Sequence, residues 1–171
     1  MRFTGLRVNQ RGQFRPAIII ILLTAALVTG VASWQALQHD FSTLDGENHR
    51  WSDYEGQWVV VNYFAEWCAP CLREIPELVE FSRTAPANTE LFAVSYDPLT
   101  KDKLYALKDQ YQIDLPLVVP DAELVLPMQK PPYLPATFII GPDGQVRKTL
   151  MGEVSEALLH ETLQRLQSQP L

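Results

Sequence analysis

The stretch Trp58–Cys71, with the sequence WVVVNYFAEWCAPC, decides the fold of this chain. Residues 58–64 form a near-continuous apolar run, which is typical of a strand buried on both faces. Apolar residues then recur at helical spacing, which predicts a helix from Cys68 to about Arg83, bent or restarted near Pro76. A strand that ends in C-x-x-C and continues as a helix places both sulfur atoms at a helix N-terminus.

Cys68 and Cys71 are the only cysteines in the chain, and their spacing is typical of a redox-active pair. The reactive species is the thiolate, which the positive end of a helix dipole stabilises. Because three residues are close to one helical turn, the two side chains share a face and can close a small disulfide. Cys68 comes first, nearest the exposed end, so we expect it to attack a substrate disulfide and Cys71 to resolve the mixed disulfide.

Three other uses of a C-x-x-C motif compete with this interpretation. A zinc site needs about four ligands, and the three histidines His39, His49 and His160 are scattered without ligand spacing. Haem attachment needs a histidine directly after the second cysteine, where this chain has Leu72. A purely structural disulfide stays open as an alternative, although so short a loop removes little chain entropy.

Charge is divided sharply along the chain. Four arginines lie within residues 1–16, and no Asp or Glu precedes Asp40. Residues 17–34 form an apolar run at the short end of the range for a membrane-spanning helix. By the positive-inside rule, we expect a basic cytoplasmic segment over 1–16, a transmembrane anchor over 17–34 and an exported domain over 35–171. A cleavable signal peptide is the alternative, since small residues at 30–32 offer a cleavage site.

The exported part carries all 20 acidic residues of the chain and is strongly acidic overall. We therefore expect no attraction to nucleic acid. In a bacterium, this topology places the domain in the periplasm or on the outer face of the inner membrane, where disulfides persist.

Strands and helices alternate along the rest of this domain. Patterns of apolar residues predict strands over 41–44, 91–96, 117–119, 136–140 and 145–150. Thr100 and Ser155 are predicted to cap two further helices. Residues 120–135 contain five prolines and are interpreted as a loop with one short helical piece, Asp121 to Leu126. The alternation predicts an α/β fold with a central mixed β-sheet flanked by helices.

Three segments carry a resemblance to a known family: Val61–Cys71, Glu74–Pro76 and Leu134–Gly144. Through them the chain resembles the thioredoxin superfamily, and within it the membrane-anchored TlpA/ResA/CcmG-like thiol–disulfide oxidoreductases of bacteria. The resemblance covers about residues 41–168, and it implies a thioredoxin-like fold for the exported domain.

The same resemblance implies a substrate-binding surface around the cysteines. It places a cis Pro135 beside Cys68, with the backbone of Leu134 pairing with an extended substrate segment. Trp67 is expected either to form part of this surface or to be a core residue, since aromatic side chains serve both uses.

Asn62 and Glu74 distinguish this chain from thioredoxin itself. Asn62 occupies the position of a buried Asp and cannot accept a proton at neutral pH, and the resembled branch commonly has Asn there. Glu74 follows Cys71 by about one helical turn, and the resemblance implies that it tunes the cysteine pKa values and assists proton movement at Cys71. The alternative for Glu74 is an exposed helix carboxylate, because Glu is seldom buried.

The resemblance further implies a protein-disulfide reductase that needs no metal or organic cofactor. Its expected client is a protein disulfide, with apocytochrome c in cytochrome c maturation as a candidate, and its expected electron donor is a membrane thiol carrier of the DsbD/CcdA type. Ala69 and Pro70 between the cysteines are more similar to reducing members than to oxidases. Three alternatives stay open: a disulfide oxidase, a copper-handling protein that binds Cu(I) through two thiolates, and a tethered binding module without catalysis.

Overall fold

The computed structural model describes residues 14–37, 39–122 and 124–169. The chain divides into two compact units, Met1–Gln38 and His39–Leu171. Within the described residues of the first unit lies one helix, α1 (Phe14–Leu37). Across the described ranges, no helix is both long and apolar enough to cross a membrane, so the anchor expected over 17–34 is not found there.

The second unit is built on a five-stranded mixed sheet. A short antiparallel pair comes before it, β1 (Phe41–Ser42) and β2 (Asn48–His49), followed by a 3₁₀ turn at Trp51–Tyr54. The strands of the main sheet are β3 (Trp58–Phe64), β4 (Thr89–Ser95), β5 (Leu117–Val118), β6 (Ala136–Ile140) and β7 (Val146–Met151). In space they lie in the order β5-β4-β3-β6-β7. Strands β3, β4 and β5 are parallel, whereas β6 is antiparallel to both of its neighbours.

Within its described residues this unit contains three α-helices: α2 (Ala69–Thr84), α3 (Lys101–Tyr111) and α4 (Glu156–Gln167). The predicted caps are confirmed, because the hydroxyl oxygens of Thr100 and Ser155 accept hydrogen bonds from backbone N–H groups in the first turns of α3 and α4. Pro76 lies inside α2, which continues through it as one helix rather than restarting.

The central strand β3 is buried along its whole length, as its apolar run predicts. Val60 and Phe64 pack into a core cluster that contains residues of α2 and α4. Val59, Val61 and Tyr63 point to the opposite face and belong to a second cluster. A buried two-faced strand therefore leads directly into the cysteine motif.

The prediction of a short helix from Asp121 to Leu126 is wrong. The described residues of that segment form turns and irregular structure. The N–H group of Val125 donates to the carbonyl oxygen of Asp40, at 2.6 Å, instead of to a carbonyl one helical turn earlier. Leu124 and Leu126 both pack against the second core cluster. Tertiary contacts therefore override a weak helical pattern between two prolines.

Candidate active site

The cysteine pair lies where β3 ends and α2 begins. The N–H group of Cys68 donates to the carbonyl oxygen of Ala65 in a tight turn that ends the strand. Cys68 is the N-cap of α2, and its Sγ accepts a hydrogen bond from the N–H group of Cys71 at 3.3 Å. Pro70 lies in the first helical turn, where its missing N–H group costs no helical hydrogen bond. The expected position of both sulfur atoms at a helix N-terminus is confirmed.

Cys68 and Cys71 form a disulfide, with their Cα atoms 5.3 Å apart. Cys71 is completely buried, whereas Cys68 keeps 5% of its surface exposed. The residue after Cys68, Ala69, is exposed. Cys68 is therefore the cysteine that an external sulfur atom reaches first.

Glu74 is a buried carboxyl group on the same face of α2 as Cys71, with only 2% of its surface exposed. Its Oε1 accepts a hydrogen bond from Asn62 Nδ2 and its Oε2 accepts one from the N–H group of Val154, both at 2.9 Å. Burial raises the pKa of Glu74 to about 7, and these two hydrogen bonds oppose that rise while the charge of Glu153 adds to it. The alternative of an exposed helix carboxylate is wrong.

Asn62 connects Glu74 to the neighbouring strand. Its Nδ2 donates a second hydrogen bond to Thr137 Oγ1 at 3.0 Å, because Asn62 and Thr137 are partners in the β3–β6 register. Its Oδ1 is buried without a hydrogen-bond partner among the described residues. Val154 binds the Glu74 carboxyl group, Glu153 acts on it through its charge, and Thr137 is linked to it through Asn62. None of the three was predicted from the sequence, because each is far from Glu74 along the chain.

Leu134 and Pro135 lie at the same end of the sheet as the cysteines. Ala136 pairs with Tyr63 near the end of β3, so the preceding Pro135 lies level with the turn that leads to Cys68. The Leu134–Pro135 peptide bond is cis, as expected. The Pro135 carbonyl oxygen accepts a hydrogen bond from the N–H group of Gly152 at 2.9 Å.

Trp67 lies on the surface next to Cys68, with 64% of its area exposed, so the alternative that it is a core residue is wrong. Its Nε1 donates to Asp97 Oδ2 at 2.7 Å, and its ring meets that of Tyr96 edge to face. The ammonium group of Lys130 lies 3.6 Å from the centre of the Tyr96 ring. These contacts hold the exposed indole in place beside the disulfide.

Comparison with known proteins agrees with this geometry. The model of the AhpC/TSA family matches residues 33–149, which is more than half of the chain. The chain belongs to the AhpC/TSA family.

Relatives of this AhpC/TSA-family chain have named activities. The thiol–disulfide oxidoreductase ResA of Geobacillus thermodenitrificans is 28% identical over 174 residues, which cover 94% of this chain and 99% of the relative. The enzyme of the same name from Bacillus subtilis is 28% identical over 118 residues, or 68% of this chain and 65% of the relative. The predicted resemblance and the predicted enzyme class, a thiol–disulfide oxidoreductase, are confirmed.

A solved structure shows the same fold as this AhpC/TSA-family chain. The exposed lipoprotein thioredoxin of Streptococcus pneumoniae matches with a TM-score of 0.64 and 23% identity, covering 73% of this chain and 96% of that one. The predicted thioredoxin-like fold with a central mixed sheet is therefore confirmed. The roles predicted for individual site residues stay predictions.

The copper alternative depends on finding ligands besides the two sulfur atoms. Among the residues that the structure describes, no group of three or more His, Cys, Asp or Glu side chains could hold a metal ion. The candidate site of this family member therefore consists of the cysteine pair, the buried carboxyl group of Glu74 and the exposed indole of Trp67.

Proposed function

We propose that this chain reduces disulfide bonds of exported proteins through a dithiol–disulfide cycle of Cys68 and Cys71. The observation that carries the proposal is the disulfide at the N-terminus of α2, with the buried carboxyl group of Glu74 one helical turn further along. The match to the AhpC/TSA family and the relatives named ResA support the same chemistry.

In this cycle the Cys68 thiolate attacks one sulfur atom of the client disulfide. The client S–S bond breaks, a mixed disulfide forms at Cys68, and one client thiolate leaves. Cys71 then loses its proton and attacks Cys68 Sγ, which forms the intramolecular disulfide and releases the second client thiolate. Two electrons pass from the dithiol to the client, and the two client thiolates take up two protons.

Each predicted site residue has a role in the proposed cycle. The helix dipole and the N–H group of Cys71 stabilise the thiolate of Cys68. Glu74, with a pKa of about 7, is suited to exchange a proton with Cys71 near neutral pH. The Leu134 backbone beside Pro135 pairs with an extended client segment, and Trp67 covers an adjacent part of that segment.

A trapping experiment tests the cycle. In a Cys71→Ser variant the mixed disulfide at Cys68 cannot be resolved, so we expect covalent complexes that a reductant releases, detected on non-reducing gels. The matched control is Cys68→Ser, which should trap nothing, because its remaining thiol is buried. Failure of Cys71→Ser to trap any disulfide-bonded protein or model peptide would count against the cycle.

The reduction potential of the Cys68–Cys71 pair tests the direction of the reaction. We expect equilibration with a dithiol redox buffer to place the potential near that of thioredoxin, about −270 mV. A potential near that of DsbA, about −120 mV, would instead support the disulfide oxidase that the sequence left open.

Client and electron donor are part of the proposal. We propose apocytochrome c as one client, whose paired cysteines must be reduced before haem attachment, and a membrane thiol carrier of the DsbD/CcdA type as donor. Incubation of the reduced Cys71→Ser variant with oxidised apocytochrome c should give a mixed disulfide at Cys68. Equal trapping of unrelated folded disulfide proteins would show that apocytochrome c is not a preferred client.

Export and tethering by residues 17–34 complete the proposal, supported by the basic segment 1–16 and the apolar run that follows. The test is labelling of Cys68 in intact cells with a membrane-impermeant maleimide after reduction, together with separation of membranes from soluble protein. Labelling of Cys68 in a protein that does not separate with the membranes would support export and exclude the tether. Absence of labelling in intact but not in lysed cells would exclude export.

A further inference from the structure

An ion pair at the surface joins the two backbone segments that hold Glu74. Arg73 precedes Glu74 on α2, and Glu153 precedes Val154, whose N–H group binds the Glu74 carboxyl group. The guanidinium group of Arg73 donates to both carboxylate oxygens of Glu153, through Nε and Nη2. The side chains of Arg73 and Glu153 are 62% and 44% exposed. The pair thus lies at the solvent side of the buried carboxyl group.

The segment from Gly152 to Val154 also contacts the loop that contains the cis peptide bond between Leu134 and Pro135. The N–H group of Gly152 donates to the Pro135 carbonyl oxygen at 2.9 Å, two residues before the N–H group that binds Glu74. Gly152–Val154, part of the four-residue connection between β7 and α4, therefore contacts both Glu74 and the proposed client-binding loop. Its ion pair with Arg73 fastens it to the helix that carries the cysteines.

Charged and titratable groups near Glu74 lie on its own helix, α2, and on the connection between β7 and α4, which carries Glu153. On α2 these are Arg73, Glu77 and, once the disulfide is reduced, the Cys71 thiol, whereas β3 and β6 contribute the neutral Asn62 and Thr137. Glu77 Oε2 accepts the N–H group of Glu156 at 3.0 Å, so this carboxylate is directed to the start of α4. The charge of Glu153 acts directly on Glu74 and raises its pKa.

We propose that Arg73 and Glu153 are positioning residues that set the proton affinity of Glu74, and with it the pH range in which Cys71 exchanges its proton. Glu153 brings a negative charge near the carboxyl group and favours its neutral form. Arg73 offsets the negative charge of Glu153 and holds the Glu153 side chain over the connection between β7 and α4. The second half of this inference rests on the proposed function, whereas the first half does not.

The two partners of the pair must then have opposite effects on Glu74. If the ion pair were purely structural, removal of either partner would change the stability of the chain in the same direction. Removal of the Glu153 charge should lower the pKa of Glu74, whereas removal of the Arg73 charge leaves Glu153 unpaired and should raise it. Because both side chains are half-exposed, we expect shifts of a few tenths of a pH unit that shrink as salt is added.

The experiment is a ¹³C NMR titration of the Glu74 carboxyl carbon in the oxidised full-length chain, with Glu74→Gln used for assignment. Glu153→Gln should lower the titration midpoint and Arg73→Gln should raise it. The double variant should return it close to the wild-type value. Shifts of the same sign in both single variants, or no shift in either, would overturn the proposal.

Arg83→Gln is the matched control. Arg83 also lies on α2, is similarly exposed, and forms an ion pair with Asp114 at 3.1 Å, distant in sequence from the cysteine motif. The Arg83→Gln variant should leave the titration midpoint of Glu74 unchanged. A shift in Arg83→Gln as large as that in Arg73→Gln would mean that the effect is not specific to the connection.

A kinetic measurement separates this inference from the proposed function. The pH profile of client-disulfide reduction should move with the NMR midpoint of Glu74 in each variant. A profile that stays fixed while the midpoint moves would overturn the role at Cys71 and leave the effect on Glu74 in place. If the midpoints move as expected but Cys71→Ser traps no client, the proposed function fails and the electrostatic inference stands.

Discussion

Glu74 shows how the environment of one residue changes its chemistry. Removal from water destabilises the charged form, and the hydrogen bonds from Asn62 and Val154 recover only part of that cost. The resulting pKa of about 7 means that both protonation states are populated near neutral pH. A residue that the helix pattern shows only as one more polar position becomes a group suited to proton exchange.

Glu74 should make the stability of the oxidised chain depend on pH. Its pKa rises from 4.5 to about 7 on folding, so the folded chain binds the proton more tightly. The free energy of unfolding should therefore fall by up to about 3 kcal/mol as pH rises from about 4.5 to about 7. Outside this window the contribution of Glu74 should change little with pH. Urea unfolding at several pH values measures this slope.

In the Glu74→Gln variant this part of the slope should disappear. Glu77→Gln is the control, because Glu77 is an exposed carboxylate on the same helix and should leave the slope intact. Retention of the full slope in Glu74→Gln would show that another group causes the pH dependence.

At the scale of the element, the connection between β7 and α4 organises the site. Gly152 has a φ of +95°, a backbone conformation that favours glycine and directs two N–H groups, its own and that of Val154, to Pro135 and Glu74. Ser155 then caps α4 directly after this turn. The connection is therefore both a helix start and a set of hydrogen-bond donors for the site.

Replacement of Gly152 by Ala should affect the site as well as the stability. An alanine at this φ costs about 1–2 kcal/mol, and relaxation of the backbone should weaken the hydrogen bond from Val154 and so raise the pKa of Glu74. Urea unfolding and the titration of Glu74 measure the two effects.

Gly46→Ala is a matched control for this change. Gly46 has a φ of +93° in the turn between β1 and β2, and an added Cβ at either glycine meets no atom within 4 Å. Both variants should lose similar stability, but only Gly152→Ala should shift the midpoint of Glu74. An equal shift in both variants would show that general loosening of the fold, not the connection, changes the proton affinity.

At the scale of the whole molecule, the unit from His39 onward contains its own core. Among the described side chains, the buried apolar ones begin at Phe41 and fill both faces of the sheet. Phe41 stacks on His49 and meets Phe92 edge to face, so the first residues of the unit belong to its second core cluster. This arrangement predicts that the unit folds by itself.

A fragment of residues 39–171 should therefore unfold cooperatively at the same urea concentration as the full-length chain. A shorter fragment, 50–171, lacks Phe41 and Leu44 and should be destabilised by about 3 kcal/mol or more. Circular dichroism during urea unfolding measures both. A lower midpoint for the fragment 39–171 would show that the preceding residues contribute to the stability of this unit.

The sequence by itself determined the features that depend on neighbouring residues. The apolar run of β3, the cysteine pair at the start of α2 and the capping residues Thr100 and Ser155 lie within a few residues of the structure that they specify. Local patterns carry this information because side-chain periodicity and capping act within one or two turns of the chain. The cis Pro135 was implied only by the family resemblance.

Only the tertiary structure decided the environment of the site. Asn62 and Val154 donate hydrogen bonds to Glu74, and Thr137 accepts one from Asn62, because of the β3–β6 register and the position of the β7–α4 connection. No local pattern reports such contacts. The exposure of Trp67 was likewise decided by tertiary contacts. Burial and long-range hydrogen bonds depend on how distant segments pack, so the proton affinity of Glu74 follows from the fold and not from its place in the sequence.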